Sequence, residues 1–597
     1  MADAAERSDP LGALAAAAPR RPARQGLADR RGAGGHRRQA SRRRLPRAHP
    51  GGGRRGPRHA HPPSARRPRA LAAQPRDAAA SRLSGRGTHT APRTVDRRTR
   101  AGRGRGAVTR RARAGSGDAV VVGAGPNGLA AGVTLARAGL RVRVYEAAER
   151  IGGGSSTREL TLRGFAHDVC SAVHPLAFES RFFREFGLRE RVAFAVPEVS
   201  FAHPLDGGRA GLAYRDVDRT RDALGRDGRA YAALLRPLAE HSREVAEFTG
   251  STLLRIPTHL RTPVRFGLAA LEQGSPLWGA RFRGEAAPAL LTGAAAHTIL
   301  PLPSLASAGA GLALTAYAHA RGWPIPIGGS QAIADAMADD IRAHGGEIIT
   351  DAEIGSLDEL PSAALTMLDV TPRALLRLAR GRLPAAYRRA MRRFRYGSAV
   401  AKVDFALSEP VPWTHPELRR AGTVHVGGTR AQIAAAENAV AAGRLVDDPY
   451  VLVSQPSLFD PARAPEGRHT LWTYTHVPAG SAVDRTEAVV RQIERFAPGF
   501  RDTILATAST TAQDVAAHNA NYPGGDIAAG IPNLTQLLRR PVLRPDPWRT
   551  PLPGVYLCSA STTPGPGVHG LAGWHAALSG LRHDLGEPAL PDLSIGA

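Results

Sequence analysis

The chain has 597 residues and a formal net charge of +28, nearly all of it in residues 1–116, which hold 30 arginines, no lysine and six acidic residues. This excludes a uniformly basic protein and sets apart an Arg-, Ala-, Gly- and Pro-rich tail, too poor in aromatic and β-branched residues to offset its ordering entropy and so expected to be disordered. Two cysteines, Cys170 and Cys558, exclude a C-x-x-C mechanism and a disulfide framework and fit a reducing cytosol, while the histidines lack metal-ligand spacing, so no metal is expected.

The tail has two readings. Its charge suits an arm for nucleic acid or an anionic membrane. Its GC-rich-codon residues also suit upstream DNA translated from a misplaced start, the reading favoured because no aromatics interleave the arginines to stack on bases. No nucleic-acid partner is then expected. Asp3 and Glu6 stand where a secretory signal would be basic.

Next comes a nucleotide-binding βαβ unit. Ala119 to Val122 form an apolar run of the kind that makes a buried parallel strand. Gly123, Gly125 and Gly128 follow as G-x-G-x-x-G where strand becomes helix. The first permits the tight turn, the second lets backbone approach a pyrophosphate, and the third lets the helix lie close on the sheet. A helix from Asn127 to Arg137 would aim its N-terminal N–H groups at that phosphate. The strand Val142 to Tyr145 ends in Glu146, 18 residues after Gly128, near the roughly 20 expected of a ribose-binding carboxylate. Arg150, Gly152, Gly153 and Gly154, then Ser155, Ser156 and Thr157, offer a second glycine turn beside the same pyrophosphate. The long cofactor FAD is therefore expected.

Phe165 to Leu176 reads as a loop, and residues 220 to 320 as helical. Pro288 to Ala320 is apolar but interrupted by Pro301 and Pro303, so buried helices of a substrate domain are expected rather than a membrane span. An apolar pocket or membrane-surface entrance is the functional alternative. A glycine turn at Pro326 to Gln331, a helix to His344, a strand Glu347 to Thr350 and an apolar run Ala364 to Val370 return to the sheet domain. Val400, Val403, Phe405 and Leu407 mark a strand carrying Lys402, the only lysine in the chain. A compact ammonium can hold one water where a planar guanidinium cannot. Chance retention is the alternative. Strands at Tyr450 to Val453 and Thr470 to His476, a helix from Thr486 to Phe496 and a strand running into the loop Gly554 to Gly570 complete the pattern. A helix emerging from that loop would suit the negative charge of a reduced flavin.

The stretches GAGPNGLAAG, EAAERIGGG, GWPIPIGGSQAI and YLCSASTTPGPGVHG together resemble FAD-dependent oxidoreductases of the phytoene desaturase-like group, in particular the branch called pyridine nucleotide-disulphide oxidoreductase domain-containing protein 2. The resemblance starts near residue 117. It implies that Gly123, Ala124, Gly125, Pro126, Asn127 and Gly128 meet the pyrophosphate, that Glu146 with Ala147 and Arg150 meets the adenosine end, and that Gly153, Ser155 and Ser156 line the ribityl path. It also implies that Ile354 touches adenine and that Ser559, Ala560, His569, Gly570 and Leu571 close over the flavin. VAKVDFALSEPVPW resembles the amine-oxidase strand that places a lysine near flavin N5, which makes Lys402, with His569, the catalytic candidate. Members carry an acidic residue near the terminal motif, where this chain has Cys558-Ser559-Ala560. The short segment after Ile354 departs from carotenoid desaturases, so their substrate does not transfer.

The expected fold class is α/β: a three-layer Rossmann-like FAD-binding domain from residues 117–200, 324–375 and 549–597, with a mixed α+β substrate domain from 201–323 and 376–548. The expected function is hydride transfer from a C–H bond of a small apolar substrate to flavin N5, by dehydrogenation or isomerisation, with oxygen or a quinone as electron acceptor. A flavin-binding regulatory protein without turnover and amine oxidase-like activity are the alternatives. A cytoplasmic location, with peripheral membrane contact, is expected.

Overall fold

The computed structural model describes residues 118–587 and 589–596; the expectations for the Arg-rich tail lie outside them. The organising sheet has five parallel strands in the spatial order Val555–Leu557, Leu365–Leu368, Asp118–Val122, Arg141–Tyr145, Glu347–Ile349. Numbered along the chain this is 3-2-1-4-5, the doubly wound arrangement with a switch point beside the first strand. Side chains alternate across that strand. Ala119 and Val121 pack under the helices Pro126–Arg137, Gln331–Ala343 and Leu571–Gly580. Val120 and Val122 pack on the opposite face with Leu375, Leu378, Tyr387 and Met391. Three layers result.

The helix Ala385–Arg392, expected in the substrate domain, thus covers the first sheet through Tyr387 and Met391. The strand Val199–Leu205, placed across the expected boundary at residue 200, belongs to the second sheet. Periodicity cannot show which of two sheets an amphipathic element will cover.

Close approach of the first and last helices depends on one missing side chain. A Cβ on Gly573 would lie 1.7 Å from the Asn127 carbonyl oxygen, which is backbone and cannot swing away. Gly573→Ala is therefore expected to lower stability by more than the usual overpacking range of about 1–3 kcal/mol. Urea unfolding monitored by circular dichroism measures it.

The second sheet has seven strands in the order Ile504–Thr510, Ala399–Leu407, His469–Val477, Val451–Ser454, Ala421–Val426, Val199–Leu205, Arg209–Tyr214. One face carries Val403, Phe405, Leu471, Val451, Val453 and Val424 and buries them against Val489, Val490 and Ile493 of the helix Thr486–Glu494. Cross-strand partners share a face, so the register Lys402 to Tyr474, Asp404 to Trp472 and Leu452 to Tyr474 puts polar and aromatic groups on the other. The apolar stretch from residue 288 to 320 forms two buried helices, Ala286–Ala296 and Leu305–Ala320. Ala295 and Ala296 of the first cover the aromatic face beside Tyr450, Trp472 and Tyr474. No helix among the described residues is long and apolar enough to cross a membrane.

Phe165 to Leu176 is not wholly a loop. Ala166–Asp168 pairs with Thr157–Glu159 as a short hairpin, fastened where Thr157 Oγ1 donates to Asp168 Oδ1 at 2.7 Å.

Candidate functional site

The three glycines of the turn have three different physical requirements. Gly123 has φ +98°, which an L side chain rarely adopts. Gly128 is held by close approach, since a Cβ there would meet the Gly123 carbonyl oxygen at 1.9 Å. Gly125 is extended, with φ −74° and ψ 175°, so neither its backbone conformation nor a neighbouring main chain demands glycine. What a Cβ would meet there is a side-chain oxygen, Asp369 Oδ2, at 2.9 Å. The space before Gly125 is a cradle. Pro126 occupies the first position of the helix and has no N–H to leave unpaired, so the donors facing the cradle come from its neighbours.

Asp369 was not foreseen. It follows the strand Leu365–Leu368 and its Oδ2 accepts from the Gly128 N–H at 2.9 Å, placing a carboxylate where the motif expects a phosphate. Asn521 fixes the segment by donating to the Asp369 carbonyl at 2.7 Å and accepting from the Thr371 N–H at 3.0 Å. Burial pushes the Asp369 carboxyl up to about 7; the bond from Gly128 opposes this and the charge of Glu146 adds to it. An acid at the end of a strand beside the switch point was the available signal.

Glu146 accepts from the Ala124 N–H at 2.7 Å and the Ala148 N–H at 3.0 Å. A carboxylate offers about four acceptor sites, so this leaves capacity for a diol. Backbone bonds from Glu146 N to Ile349 O and from Ala352 N to Glu146 O bring the segment of half-buried Ile354 to the same end of the sheet. Ala147 and Arg150 are exposed, and Arg150 lies 3.8 Å from Glu149. The second glycine turn folds onto the first: Gly152 N donates to Ala124 O at 2.9 Å, and a Cβ on Gly153 would lie 3.3 Å from Gly125 Cα. Beyond it, Ser155 is fully buried with its Oγ lacking a hydrogen-bond partner, as does the buried Oδ1 of Asn127. Orphaned polar atoms beside this cradle fit an extended, hydrogen-bonding ligand. Ser156 donates to Gly153 O at 3.0 Å.

The terminal motif is more structural than expected. Ser559 donates to Val370 O at 2.7 Å, tying two strands of the first sheet together. The buried Arg540 guanidinium donates to the carbonyls of Ala560, Gly530 and Ala528, which sets the loop carrying Ala560. His569, a catalytic candidate by resemblance, has both ring nitrogens committed: Nδ1 accepts from the Leu571 N–H at 3.0 Å and Nε2 meets Gly565 O at 3.2 Å. Burial lowers it to about 4, so it is neutral and braces the turn into the last helix. Neither nitrogen is left for a reacting group, and its place among catalytic residues is withdrawn. Gly570 has φ +66° and a Cβ there would strike Phe182, while Leu571 lies in the core.

Lys402 is buried at 5% exposure on the polar face of the second sheet. Its Nζ is paired with Asp404 two residues on. Burial raises the Asp404 carboxyl to about 6, with Lys402 pulling it back. Behind the pair stands His167, Nδ1 3.6 Å from Asp404 Oδ1, lowered to about 3 by burial and by Lys402. Asp168 next to it is held by Arg463 at 3.1 Å and by the Ser330 N–H at 2.8 Å. Cys170, from the same hairpin, has its thiol raised by burial and drawn down by Tyr522 and Lys402. Tyr522 in turn sits at Gly154, where a Cβ would meet its hydroxyl. The lysine therefore lies close to the end of the second glycine turn. His167, Asp168, Arg463 and Tyr522 were missed because they come from three distant segments with no common spacing, whereas Asp404, at i+2 from Lys402 on the same strand, was available from the strand's alternation.

These features define a class of fold: a doubly wound, Rossmann-type sheet with a glycine turn at its first strand, accompanied by a second sheet bearing aromatic and charged groups. The family described as NAD(P)-binding Rossmann-like domain matches residues 121–186. The chain is 25% identical to Pyridine nucleotide-disulfide oxidoreductase domain-containing protein 2 of Rattus norvegicus, over 77% of this chain and 92% of that protein. It is 24% identical to Phytoene desaturase (neurosporene-forming) of Rhodobacter capsulatus, over 80% of this chain and 95% of that one. A triple mutant of putrescine oxidase, from a redesign of its cofactor binding, aligns with a TM-score of 0.51 at 15% identity over 78% of this chain and 98% of its own. That likeness concerns the fold alone. The resemblance drawn from the motifs, to this branch and more distantly to phytoene desaturase, is borne out.

Proposed function

We propose that the chain is an FAD-dependent oxidoreductase acting on a C–H bond of an apolar substrate, by dehydrogenation or isomerisation. The observation that carries this reading is the cradle before Gly125, bounded by the Asp369 side chain, with Ser155 Oγ orphaned on the adjoining turn. When bound, FAD would supply the hydride acceptor at its N5. Gly125 and the first turn of the helix would receive the pyrophosphate, Ser155 Oγ would donate along its path, Asn127 Oδ1 would accept from a hydroxyl of the ligand, and Glu146 would hold the ribose. Trp472, Tyr474 and Leu452 offer an apolar wall that excludes water. Lys402, anchored by Asp404, keeps a fixed positive charge at that wall. The names of the relatives support oxidoreductase chemistry; oxygen or a quinone would serve as acceptor.

Titration of the protein with FAD, followed by flavin absorbance and fluorescence, tests the reading. A folded protein that takes up no flavin at any pH would sink it. The titration also has an expected pH dependence. The Asp369 carboxyl shares the cradle with a phosphate, so its ionised form opposes binding. Affinity should be highest below pH 7, where the carboxyl is neutral, and should fall as pH rises through about 7. Asp369→Asn should remove that fall and tighten binding at pH 8 by about tenfold, the equivalent of one pKa unit.

A further inference from the structure

Outside the cofactor site, the largest departure from ordinary surface chemistry lies between residues 254 and 277. Leu254, Ile256, Leu260, Val264, Leu268, Leu271 and Leu277 are all exposed, Ile256 at 85% and the rest between 46% and 65%. Four of them, Leu260, Val264, Leu268 and Leu271, recur at helical spacing along and just before the helix Arg261–Gln273. At about 100° per residue they fall within about 40° of one line. Thr262, Phe266, Ala269 and Gln273 are buried on the opposite side, so the stripe is not the face that holds the helix to the protein. This helix is apolar on both faces, and one of them is turned outward.

The flanking charges are mostly basic: the one acidic residue between 254 and 277, Glu272, is paired with Arg281. From Phe248 to Leu271 there is no acidic residue, whereas Arg255, His259, Arg261 and Arg265 are present and exposed. Arg261 and Arg265 project beside the stripe, about 60° and 100° from it. A contiguous apolar face of this size marks an interaction site. Leucines edged by arginines match a surface with an apolar interior and anionic headgroups.

We propose that residues 254–277 dock on an anionic lipid bilayer, with the leucine stripe in the headgroup and acyl boundary. The docking does not rest on the function proposed above, and its test needs neither flavin nor substrate.

The test is hydrogen–deuterium exchange by mass spectrometry on the full chain, with vesicles of phosphatidylcholine and phosphatidylglycerol and with phosphatidylcholine alone. Amides of residues 254–277 should slow by about tenfold on the anionic vesicles and less on the neutral ones. Leu260→Gln, Leu268→Gln and Leu271→Gln together should abolish that slowing. Arg255→Gln, Arg261→Gln and Arg265→Gln together should weaken it and reduce its sensitivity to salt. Because every substituted side chain points outward, the melting temperature should be kept. Slowing confined to other segments would assign lipid attraction to the arginine-rich tail and overturn the proposal. So would slowing that survives the leucine substitutions, or a dimer that those substitutions abolish while the vesicles leave the segment unprotected.

Discussion

Lys402→Met is expected to destabilise the protein by about 3–5 kcal/mol at pH 8, the usual penalty for leaving one partner of a buried ion pair unmatched. Asp404 is fully buried, and Lys402 is its one ion-pair partner within 3 Å among the described residues. The deficit should shrink as pH falls. Asp404 has a folded value raised to about 6, above the ordinary range of an unfolded aspartate, so protonation favours the folded form. Its contribution is fully present below about pH 4 and lost as pH rises through about 6. Removing the lysine takes away the charge that held the carboxyl down, which moves this window upward. Unfolding by urea at pH 5 and pH 8 measures the difference, and an equal loss at both would refute the account. The double variant Lys402→Met with Asp404→Asn should recover most of the stability. Substrate-dependent bleaching of the flavin in that double variant then separates chemistry from folding: slowing tenfold or more would assign the ammonium a part in the reaction, and an unchanged rate would leave it a structural charge.

Gly125→Val should weaken FAD binding by about 100-fold or more while leaving the apoprotein folded. Its backbone is in the extended region open to any residue, and the contact its Cβ makes is with the end of the Asp369 side chain. A valine would fill the volume that a pyrophosphate needs and displace only a movable carboxylate. Gly128→Val, by contrast, should fail to fold, because its Cβ would meet the Gly123 carbonyl oxygen at 1.9 Å. The pair, read by flavin titration and thermal melting, distinguishes a glycine kept for a ligand from one kept for the chain. Normal flavin affinity in Gly125→Val would remove the cradle from the argument.

The local parts of this protein were legible in its sequence. A continuously apolar strand, a glycine turn, a helix, a second strand and a terminal acid occupy one window from Asp118 to Glu146, and each is dictated by steric or hydrogen-bonding demands of near neighbours. The same holds for the strand around Lys402 and the two buried helices between residues 286 and 320. Resemblance extended this to Ser155, Ile354 and the terminal loop, but it overreached at His569, whose ring is spent on Gly565 and Leu571.

What the chain's own order could not disclose is everything made by convergence. Asp369 is 241 residues from the Gly128 N–H it occupies, and Arg463 is 295 from Asp168. Asp404 is two residues from Lys402 on one strand, so their shared face follows from the sequence; the burial that turns the two into an ion pair does not. The outward stripe on the helix Arg261–Gln273 has the spacing of an ordinary core face, and only the packing of Phe266 and Ala269 on the far side shows that the leucines were left uncovered. Sequence determines which groups a segment can present. Which of them meet, and which remain turned to solvent, is decided when distant segments compete for the same buried surface.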